Sequence, residues 1–354
     1  MRRPLTFRAL TAGPGPVPAG ADVSGIAAHL ALHPAIPGAV AGWTTAGRHA
    51  LAVAGLRRQG GGAAVEPGDR WHIGSLTKSM TATLAARMVE ARAIDRDATV
   101  GATLGASFDM DDAWRDATLV SFLRHASGMR ANIGLAGRLR VGRGPRADYV
   151  ARVLAQRPRG PRGGFLYSNA GYVVAGAMLE AAGRAPWEDL VARDVFAPLG
   201  LASAGFGAPA GAGPRGHRLT PFGGLRPVAP GPRADNIPAL GPAGRVHVSG
   251  GDMLRYLRAH LLGEGPFLSR ESWGRLHRAE GPGRYAQGWA EVDGVLRHSG
   301  SNGYWFAQMR LCRAGGAAAF VAVNAAAMGL VRRPVEAAAD AVLADALRAA
   351  RGGG

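Results

Sequence analysis

Ile-Gly-Ser-Leu-Thr-Lys-Ser-Met, residues 73–80, is the most informative stretch of this 354-residue chain. Apolar residues recur every four positions from Leu76 to Met88, which predicts a long buried helix that begins at or near Ser75. Ser75 and Lys78 are three residues apart, and residues at that spacing lie on the same face of a helix. The Lys78 side chain can therefore approach the Ser75 hydroxyl.

Lys78 is the only lysine in the chain: 42 residues are lysine or arginine, and the other 41 are arginine. An arginine side chain stays protonated at any working pH, whereas a desolvated lysine can lose its proton. Of the two residue types, only lysine can accept the proton of a serine hydroxyl. The single lysine thus occupies a position where arginine could not act as a base.

Ser75 and Lys78 together make a candidate nucleophile and its base. The positive end of the helix dipole disfavours a protonated lysine and favours a developing oxyanion. Burial against Leu76 and Met80 would lower the pKa of Lys78 further. A lysine that takes the Ser75 proton is the expected result. A Ser-x-x-Lys pattern also occurs by chance in many proteins, so other motifs must decide the assignment.

Two later segments supply such motifs. Residues 165–172 read Phe-Leu-Tyr-Ser-Asn-Ala-Gly-Tyr and place Tyr167 and Asn169 at the mouth of a predicted helix. Residues 297–303 read Arg-His-Ser-Gly-Ser-Asn-Gly, a polar, glycine-rich segment within a strand pattern. A glycine inside a strand lets another backbone or a ligand approach closely.

Taken in order, Ser-x-x-Lys, Tyr-x-Asn and His-x-Gly resemble the serine β-lactamase and penicillin-binding-protein superfamily. They are most similar to its class C β-lactamase-like branch of esterases and D-aminopeptidases. Supporting stretches at residues 123–128, 197–200 and 250–253 also look like this branch. The resemblance covers about residues 25–345. It implies an α+β fold of the β-lactamase/transpeptidase type, with an antiparallel sheet flanked by helices and an inserted, mostly helical subdomain.

The resemblance also implies roles for individual side chains. Ser75 would attack a carbonyl carbon and carry the acyl group, and Lys78 would take its proton. Tyr167 would relay protons to the leaving group and later activate the hydrolytic water. A phenol is a poor base unless nearby positive charge lowers its pKa, which Lys78 could do.

A second group of residues is implied to bind the substrate. The backbone N–H groups of Ser75 and Ser301 would form an oxyanion hole, with each donor contributing about 3 kcal/mol. Read without the resemblance, Tyr167 is a capping aromatic residue and Asn169 a helix cap. The implied substrate-binding residues are Asn169, His298, Ser299, Gly300 and Ser301.

The chain departs from β-lactamases in its third motif. His298 stands where β-lactamases and transpeptidases usually carry a lysine that attracts the substrate carboxylate. Histidine is mostly neutral at pH 7, so attraction to a β-lactam carboxylate should be weaker. If the reaction needs one protonation state of His298, kcat/KM should show a limb near pH 6–7. Tyr167 in the second motif fits the class C-like branch, and no local carboxylate is evident as a separate deacylation base.

Periodicity predicts strands and a helix first, helices in the middle, then strands and a final helix. The N-terminal segment 1–22 is rich in proline and glycine and is predicted to be flexible. The hydrolase domain would span residues 23–348, as an α/β lobe (23–105 and 240–348) with a helical insertion (106–239). The predicted helices are 23–32, one from Ser75, 172–182, 187–195 and 334–348; the predicted strands are 39–45, 49–56, 69–73, 288–292, 304–310 and 317–323.

The net charge of +17 invites a nucleic-acid interpretation, but the arginines are spread along the chain without a nucleic-acid-binding motif. Residues 138–162 hold eight arginines against one acid, Asp148. They form either a solvated loop and helix face or a patch that steers anionic substrates. The single Cys312 excludes an internal disulfide. The histidines show no metal-ligand spacing, and no cofactor motif is present.

No secretory signal is evident at the N-terminus, so a cytoplasmic protein is expected unless the true start differs. Residues 314–331 lack charge for 18 positions, but alanine, glycine and Asn324 indicate a buried strand and turn rather than a membrane span. The sequence predicts a serine hydrolase that acts on small carboxylic esters or amides through an acyl-enzyme. D-Amino-acid peptidase, β-lactamase, acyltransferase and non-catalytic binding protein are the alternatives, and oligomeric state is not predicted.

Overall fold

A six-stranded antiparallel sheet lies at the centre of the computed structural model, which describes residues 13–352 except 221–223, 264 and 282. Its strand order is β2-β1-β11-β10-β9-β8, and all neighbours in this order pair antiparallel. The strands of the described chain are β1 (Gly38–Thr45), β2 (His49–Gly55), β3 (Arg70–His72), β4 (Gly205–Phe206), β5 (His217–Leu219), β6 (Leu225–Pro227), β7 (Val246–Ser249), β8 (Ala290–Val292), β9 (Val295–Ser301), β10 (Phe306–Cys312) and β11 (Ala317–Val323).

Helices cover both faces of this sheet. The helices of the described chain are α1 (Val23–Ala31), α2 (Thr77–Glu90), α3 (Val100–Leu104), α4 (Leu119–Leu123), α5 (Leu135–Val141), α6 (Arg146–Leu154), α7 (Asn169–Gly183), α8 (Trp187–Val191), α9 (Gly241–Gly244), α10 (Gly250–Leu262), α11 (Arg270–His277) and α12 (Met328–Arg351). α1 and α12 pack on one face of the sheet, and the smaller part of the hydrophobic core lies between them and the strands. α2 and α10 belong to the larger core on the other face.

The two central strands are buried along their whole length. Every residue of β1 and of β11 is buried. Both strands consist mainly of alanine, valine and glycine, the small apolar residues that fit a strand covered on both faces. β11 also explains most of the uncharged stretch at 314–331, which contains a buried strand as the sequence predicts and ends in the first four residues of α12. Among the described helices, none is both long and apolar enough to cross a lipid bilayer.

A smaller sheet leads into the start of α2. β3 pairs with β7, and His72 lies opposite His247 in this pairing. β4 pairs with the other edge of β7. The chain then leaves β3 through a single 3₁₀ turn, Gly74–Leu76, directly into α2. Ser75 is therefore held between a strand end and a helix start, both of which are packed in the core.

The region between residues 106 and 239 contains mostly helices, with α7 at its centre. Ten consecutive residues of α7, from Ala170 to Leu179, are buried. Their side chains pack against α4, α6 and α9. These observations fit the predicted α+β architecture. The division into a lobe and an insertion stays a prediction.

The closing helix differs from its predicted bounds. α12 begins at Met328, six residues before Pro334, where the sequence placed its start. A proline is usual in the first turn of a helix because it has no N–H to donate. Here the helix begins earlier, with the N–H groups of Leu330 and Val331 bonded to the carbonyl of Ala327. Pro334 therefore lies inside the helix.

Two other segments refine the sequence interpretation. The predicted helix 187–195 is α8 followed by a π-helical turn, Ala192–Phe196. Residues 1–12 of the predicted flexible N-terminal segment lie outside the described residues. The following residues contact the fold, because Arg348 donates to the carbonyl oxygen of Ala21 over 3.1 Å.

The arginine-rich run lies on α5, α6 and the loops around them. Arg146 is an exception to the predicted solvated face, since its side chain is only 10% exposed. It forms ion pairs with Glu180 on α7 and Glu188 on α8. This arginine therefore has a structural role between three helices.

Candidate active site

Ser75 follows a glycine whose conformation few other residues could adopt. Gly74 has a φ of +52°, and a Cβ at this position would lie 2.3 Å from the backbone nitrogen of Ser301. Such a distance is far inside van der Waals contact. Gly74 thus permits β9 to approach the start of α2, and it brings Ser301 next to Ser75.

Gly300 makes the same approach possible from the other side. A Cβ on Gly300 would lie 2.0 Å from the carbonyl oxygen of Ile73 and 2.8 Å from the nitrogen of Ser75. The two glycines therefore face each other where β9 crosses the start of α2. This is the close backbone approach that the glycine in the third motif predicts.

Lys78 is completely buried, and its amine has three neighbours. Nζ lies 3.1 Å from Ser75 Oγ. It donates to Asn169 Oδ1 over 2.7 Å and to the carbonyl oxygen of Ala243 over 2.6 Å. Burial lowers the pKa of Lys78 well below its ordinary value, as the sequence predicts.

The two short bonds account for both hydrogens of a neutral amine. A neutral lysine has two N–H bonds and one lone pair, and Asn169 and Ala243 supply the acceptors for the two hydrogens. The lone pair is left for Ser75 Oγ, whose hydroxyl can donate to it. This arrangement can remove the serine proton.

Tyr167 lies beside both residues. Its side chain hydrogen-bonds to Ser75, and Lys78 Nζ lies 5.0 Å from the centre of its ring. Burial raises the pKa of Tyr167 to about 12, although the bond to Ser75 opposes this shift. The expectation that Lys78 lowers this pKa is therefore wrong, because desolvation of the buried phenolate is the dominant effect. Tyr167 stays a protonated phenol that can donate.

Asn169 is the first residue of α7, but it does not cap the helix. Ser168 has that role, because its Oγ accepts the N–H of Gly171 over 2.8 Å. The amide of Asn169 accepts from Lys78 and donates to Asn132 Oδ1 over 3.0 Å. Asn169 is thereby free to orient Lys78, and the interpretation of Asn169 as a helix cap is wrong.

His298 is buried, and hydrogen bonds fix its tautomer. Nδ1 donates to the carbonyl oxygen of Ser299 over 2.8 Å, and Nε2 accepts from the hydroxyl of Tyr285 over 2.9 Å. Burial lowers the pKa of His298 to about 3. His298 therefore stays neutral above that pH, and the expected limb near pH 6–7 cannot come from it.

Ser299 and Ser301 alternate with His298 and Gly300 along β9. The exposed Ser299 accepts a hydrogen bond at Oγ from Gln308 Nε2 on β10, over 2.8 Å. Ser301 Oγ accepts the N–H of Gly303 over 2.9 Å. The two serine side chains are thus engaged within β9 and its neighbours, whereas the backbone of Ser301 lies next to Ser75.

An aromatic cluster surrounds Tyr167 that the sequence did not reveal. His125 lies 4.3 Å from Tyr167 and 4.6 Å from Tyr285, between ring centres. Its Nδ1 accepts the N–H of Ser168 over 3.0 Å. His125 occurs in the supporting stretch 123–128, which was a usable signal. Tyr285 belongs to no motif, and neither does the carbonyl of Ala243.

The predicted site residues come together from three elements. Ser75 and Lys78 come from the start of α2, Tyr167 and Asn169 from the start of α7, and the third motif from β9. Within the described ranges, no three histidine, cysteine, aspartate or glutamate side chains converge to hold a metal ion.

Comparison with known proteins adds a family and several relatives. A family model described as Beta-lactamase matches residues 26–343. Penicillin-binding protein 4 of Amycolatopsis lactamdurans is 28% identical over 82% of this chain and 81% of its own length. EstCE1, a hydrolase with promiscuous acyltransferase activity, superposes with a TM-score of 0.75 at 20% identity, over 90% of this chain and 97% of that one. A class C beta lactamase from Rhodobacter sphaeroides gives 0.71 at 20% identity, over 89% and 96%.

Proposed function

We propose that this chain, which belongs to the beta-lactamase family, is a serine hydrolase that cleaves small carboxylic esters through an acyl-enzyme on Ser75. The observation that carries the proposal is the position of Lys78. Its amine is buried, both of its hydrogens have acceptors, and its lone pair is left for Ser75 Oγ. A serine hydroxyl next to such an amine is an activated nucleophile.

The reaction begins with transfer of one proton and attack by one oxygen. Ser75 Oγ bonds to the substrate carbonyl carbon while its proton passes to Lys78 Nζ. The carbonyl oxygen gains the electron pair of the broken π bond and becomes an oxyanion. The N–H groups of Ser75 and Ser301 would hold this oxyanion, because the two backbones meet at Gly74 and Gly300.

Collapse of this intermediate expels the leaving group. Tyr167 donates its phenol proton to the departing oxygen and regains one from Lys78. Water then attacks the acyl carbon, and its proton passes back through the same groups to Ser75. Each proton is carried by Ser75, Lys78 or Tyr167, so the cycle ends with the enzyme as it began.

The neutral surroundings of Ser75 favour substrates without a carboxylate near the reacting carbon. His298 is held neutral, and both of its ring nitrogens are already engaged. It can offer a substrate neither a positive charge nor a free N–H group. An uncharged ester therefore fits this side of the site better than a β-lactam or a peptide with a free terminal carboxylate.

Amide hydrolysis is the second candidate, and Tyr167 is the observation that favours it. An amine leaves only when it receives a proton, and a phenol with a pKa of about 12 stays protonated at neutral pH. D-Amino-acid amides and peptides belong to this candidate class. Acyl transfer to an alcohol or an amine would use the same acyl-enzyme.

The test compares a short p-nitrophenyl ester, an uncharged p-nitroanilide and a chromogenic cephalosporin, with Ser75→Ala as the blank. Turnover of the ester that disappears in the variant supports the proposal. Turnover of the anilide alone supports the amidase. A cephalosporin rate above the ester rate would contradict the argument from His298. Turnover that persists in Ser75→Ala would place the nucleophile elsewhere.

A further inference from the structure

Three side chains, two of them buried and one partly buried, form a line behind the start of α2. His72 Nε2 lies 2.8 Å from Asp235 Oδ1, and Arg245 Nε donates to Asp235 Oδ2 over 2.7 Å. The side chains of His72 and Asp235 are 0% and 2% exposed. Asp235 comes from the loop after β6, whereas His72 ends β3. This line of hydrogen bonds therefore joins two distant segments of the chain directly beneath the nucleophile.

One end of the line holds the backbone that carries Ser75. The N–H of Gly74 donates to His72 Nδ1 over 3.1 Å. Because Nδ1 accepts this bond, the ring proton lies on Nε2 and is donated to Asp235. The carboxylate of Asp235 thus selects the tautomer of His72 that can hold Gly74. If the ring proton lay on Nδ1, that N–H would point at the N–H of Gly74, and two donors cannot form a hydrogen bond.

A second branch reaches the backbone that carries Ser301. Asn302 Nδ2 donates to the carbonyl oxygen of Ala234 over 3.1 Å and lies 3.5 Å from Asp235 Oδ1. Its Oδ1 accepts the N–H groups of Tyr304 and Trp305, over 3.1 and 3.2 Å. Asn302 thereby fixes the turn that directly follows Ser301 and ties it to the same loop.

Asp235 stays a carboxylate in this setting. Burial by itself would raise its pKa, but the hydrogen bond from His72 and the charge and hydrogen bond of Arg245 hold the pKa below its ordinary value. A buried carboxylate that accepts from several fixed donors is a rigid anchor, because loss of any of these hydrogen bonds would leave a buried charge less well compensated. The rest of the proposed mechanism uses none of these three side chains.

We propose that Asp235 is a positioning residue that sets the spacing of the two oxyanion donors, through His72 and Gly74 on one side and through Asn302 on the other. This inference rests on the proposed function, since it assumes that the N–H groups of Ser75 and Ser301 stabilise an oxyanion. Asp235 touches no substrate. It acts by holding both backbones in the geometry that the close approach of Gly74 and Gly300 makes possible.

The test measures the rate at which an alkyl fluorophosphonate labels Ser75, located by peptide mass spectrometry. This reaction needs the nucleophile and the oxyanion hole but no knowledge of the natural substrate. Asp235→Asn keeps the size of the side chain, but only the oxygen of the new amide can accept a hydrogen bond. Its NH₂ group would then face the N–H donor of either His72 or Arg245. We expect labelling at least about tenfold slower, because a displaced donor loses part of the stabilisation whose complete loss costs about 10²–10³-fold.

Asp345→Asn is the matched control. Asp345 is also a mostly buried carboxylate, and it accepts from Val23 N at 3.1 Å, from Trp43 Nε1 at 2.8 Å and from the guanidinium of Arg348 at 3.1 Å. It lies on the opposite face of the sheet, so this variant should label within about twofold of wild type, since distant sites act independently. A purely structural effect would slow both variants alike, and that result would overturn the proposal.

Two further readouts separate positioning from general damage. The pH at which the labelling rate is half-maximal reports Lys78, and Asp235→Asn should leave it unchanged while the maximal rate falls. Asn302→Ala should also slow labelling, and the double variant should be no slower than the slower single variant, since the residues act as one unit. Additive losses would contradict this.

The outcomes also separate this inference from the proposed function. A wild-type rate in Asp235→Asn overturns the positioning role and leaves the hydrolase proposal standing. A wild-type protein that is not labelled at Ser75 overturns both. If Asp235→Asn does not fold, Asn302→Ala decides the question, and a wild-type labelling rate in that variant counts against the proposal.

Discussion

Lys78 Nζ donates to the carbonyl oxygen of Ala243 over 2.6 Å. Ala243 lies in the four-residue helix α9, more than 160 positions along the chain from the lysine. Together with Asn169, this carbonyl occupies both hydrogens of a neutral amine and directs its lone pair at Ser75.

Loss of either the nucleophile or its base should remove nearly all activity. We expect Ser75→Ala and Lys78→Ala each to lower kcat by at least about 10⁴-fold, because nucleophile and base act as a unit. The double variant should be no worse than the worse single variant. Steady-state kinetics on the p-nitrophenyl ester checks this. Retention of more than a few per cent of the activity in either single variant would show that the site is elsewhere.

The pH profile should report Lys78 and not His298. The amine must be neutral to act, so kcat/KM should fall as pH drops through the lowered pKa of Lys78. The pKa of His298 is about 3 and that of Tyr167 about 12, so neither should add a limb between pH 5 and 9. His298→Asn should leave the position of the acid limb unchanged.

Lys78→Arg is the sharper variant for the same profile. Its charge is that of a protonated lysine, but a guanidinium stays protonated, so no pH in the range should restore activity. A Lys78→Arg protein with substantial activity at any pH would show that the residue supplies charge rather than a base.

A positive charge at position 298 should change substrate preference. In His298→Lys, a hydrogen-bonded ammonium would face the side of the site that now carries a neutral ring. We expect the ratio of kcat/KM for a chromogenic cephalosporin to that for the uncharged ester to rise about tenfold, the effect of one charge-assisted hydrogen bond. An unchanged ratio would mean that residue 298 does not face the substrate carboxylate.

The glycine at position 300 should tolerate no side chain. A Cβ there would lie 2.0 Å from the carbonyl oxygen of Ile73, so β9 and the start of α2 must separate. We expect Gly300→Ala to lower the free energy of unfolding by about 3 kcal/mol through overpacking and to abolish ester hydrolysis. Gly274→Ala on α11, where nothing lies within 4 Å of the added carbon, is the control and should keep full activity. Thermal unfolding and initial rates measure both effects.

Buried histidines should make the protein lose stability as pH falls. Burial lowers the pKa of His277 to about 3 and that of His217 to about 4, from 6.5. Below about pH 6.5 these histidines become protonated in the unfolded chain but stay neutral in the native protein. The free energy of unfolding therefore falls toward pH 4. Melting temperatures across this window measure the slope. His277→Gln should make the slope shallower, and an unchanged slope would contradict the burial argument.

The sequence was sufficient for those parts of the site that depend on side chains with a fixed spacing. Ser75, Lys78, Tyr167 and Asn169 lie in short motifs at helix starts, where local geometry decides which atoms meet. The carbonyl of Ala243 could not be predicted, because a backbone oxygen leaves no trace in residue type. Asp235 and Tyr285 were missed for a related reason: each meets its partner only through tertiary contacts between loops and strands.

The fold, too, was predicted well where local sequence pattern decides it and poorly where tertiary packing does. β11 was predicted at its true bounds because it is uniformly apolar and lies between Gly316 and Asn324, whereas β10 begins at Phe306, two residues later than predicted. The start of α12 was misplaced because Pro334 was taken as a first-turn residue. Tertiary packing of the buried Val331 extends the helix toward the N-terminus, so that it begins before Pro334. The pKa of Tyr167 was misjudged because its burial is a property of the folded cluster.

The most direct test of the central claim is to trap the acyl group. Wild-type protein mixed with a p-nitrophenyl ester, quenched in acid within the first turnovers and digested, should yield a peptide that contains Ser75 and carries the mass of the acyl group. Ser75→Ala should yield none, and Lys78→Ala should accumulate it far more slowly. An adduct on a different residue, or ester turnover at the wild-type rate in Ser75→Ala, would contradict the account.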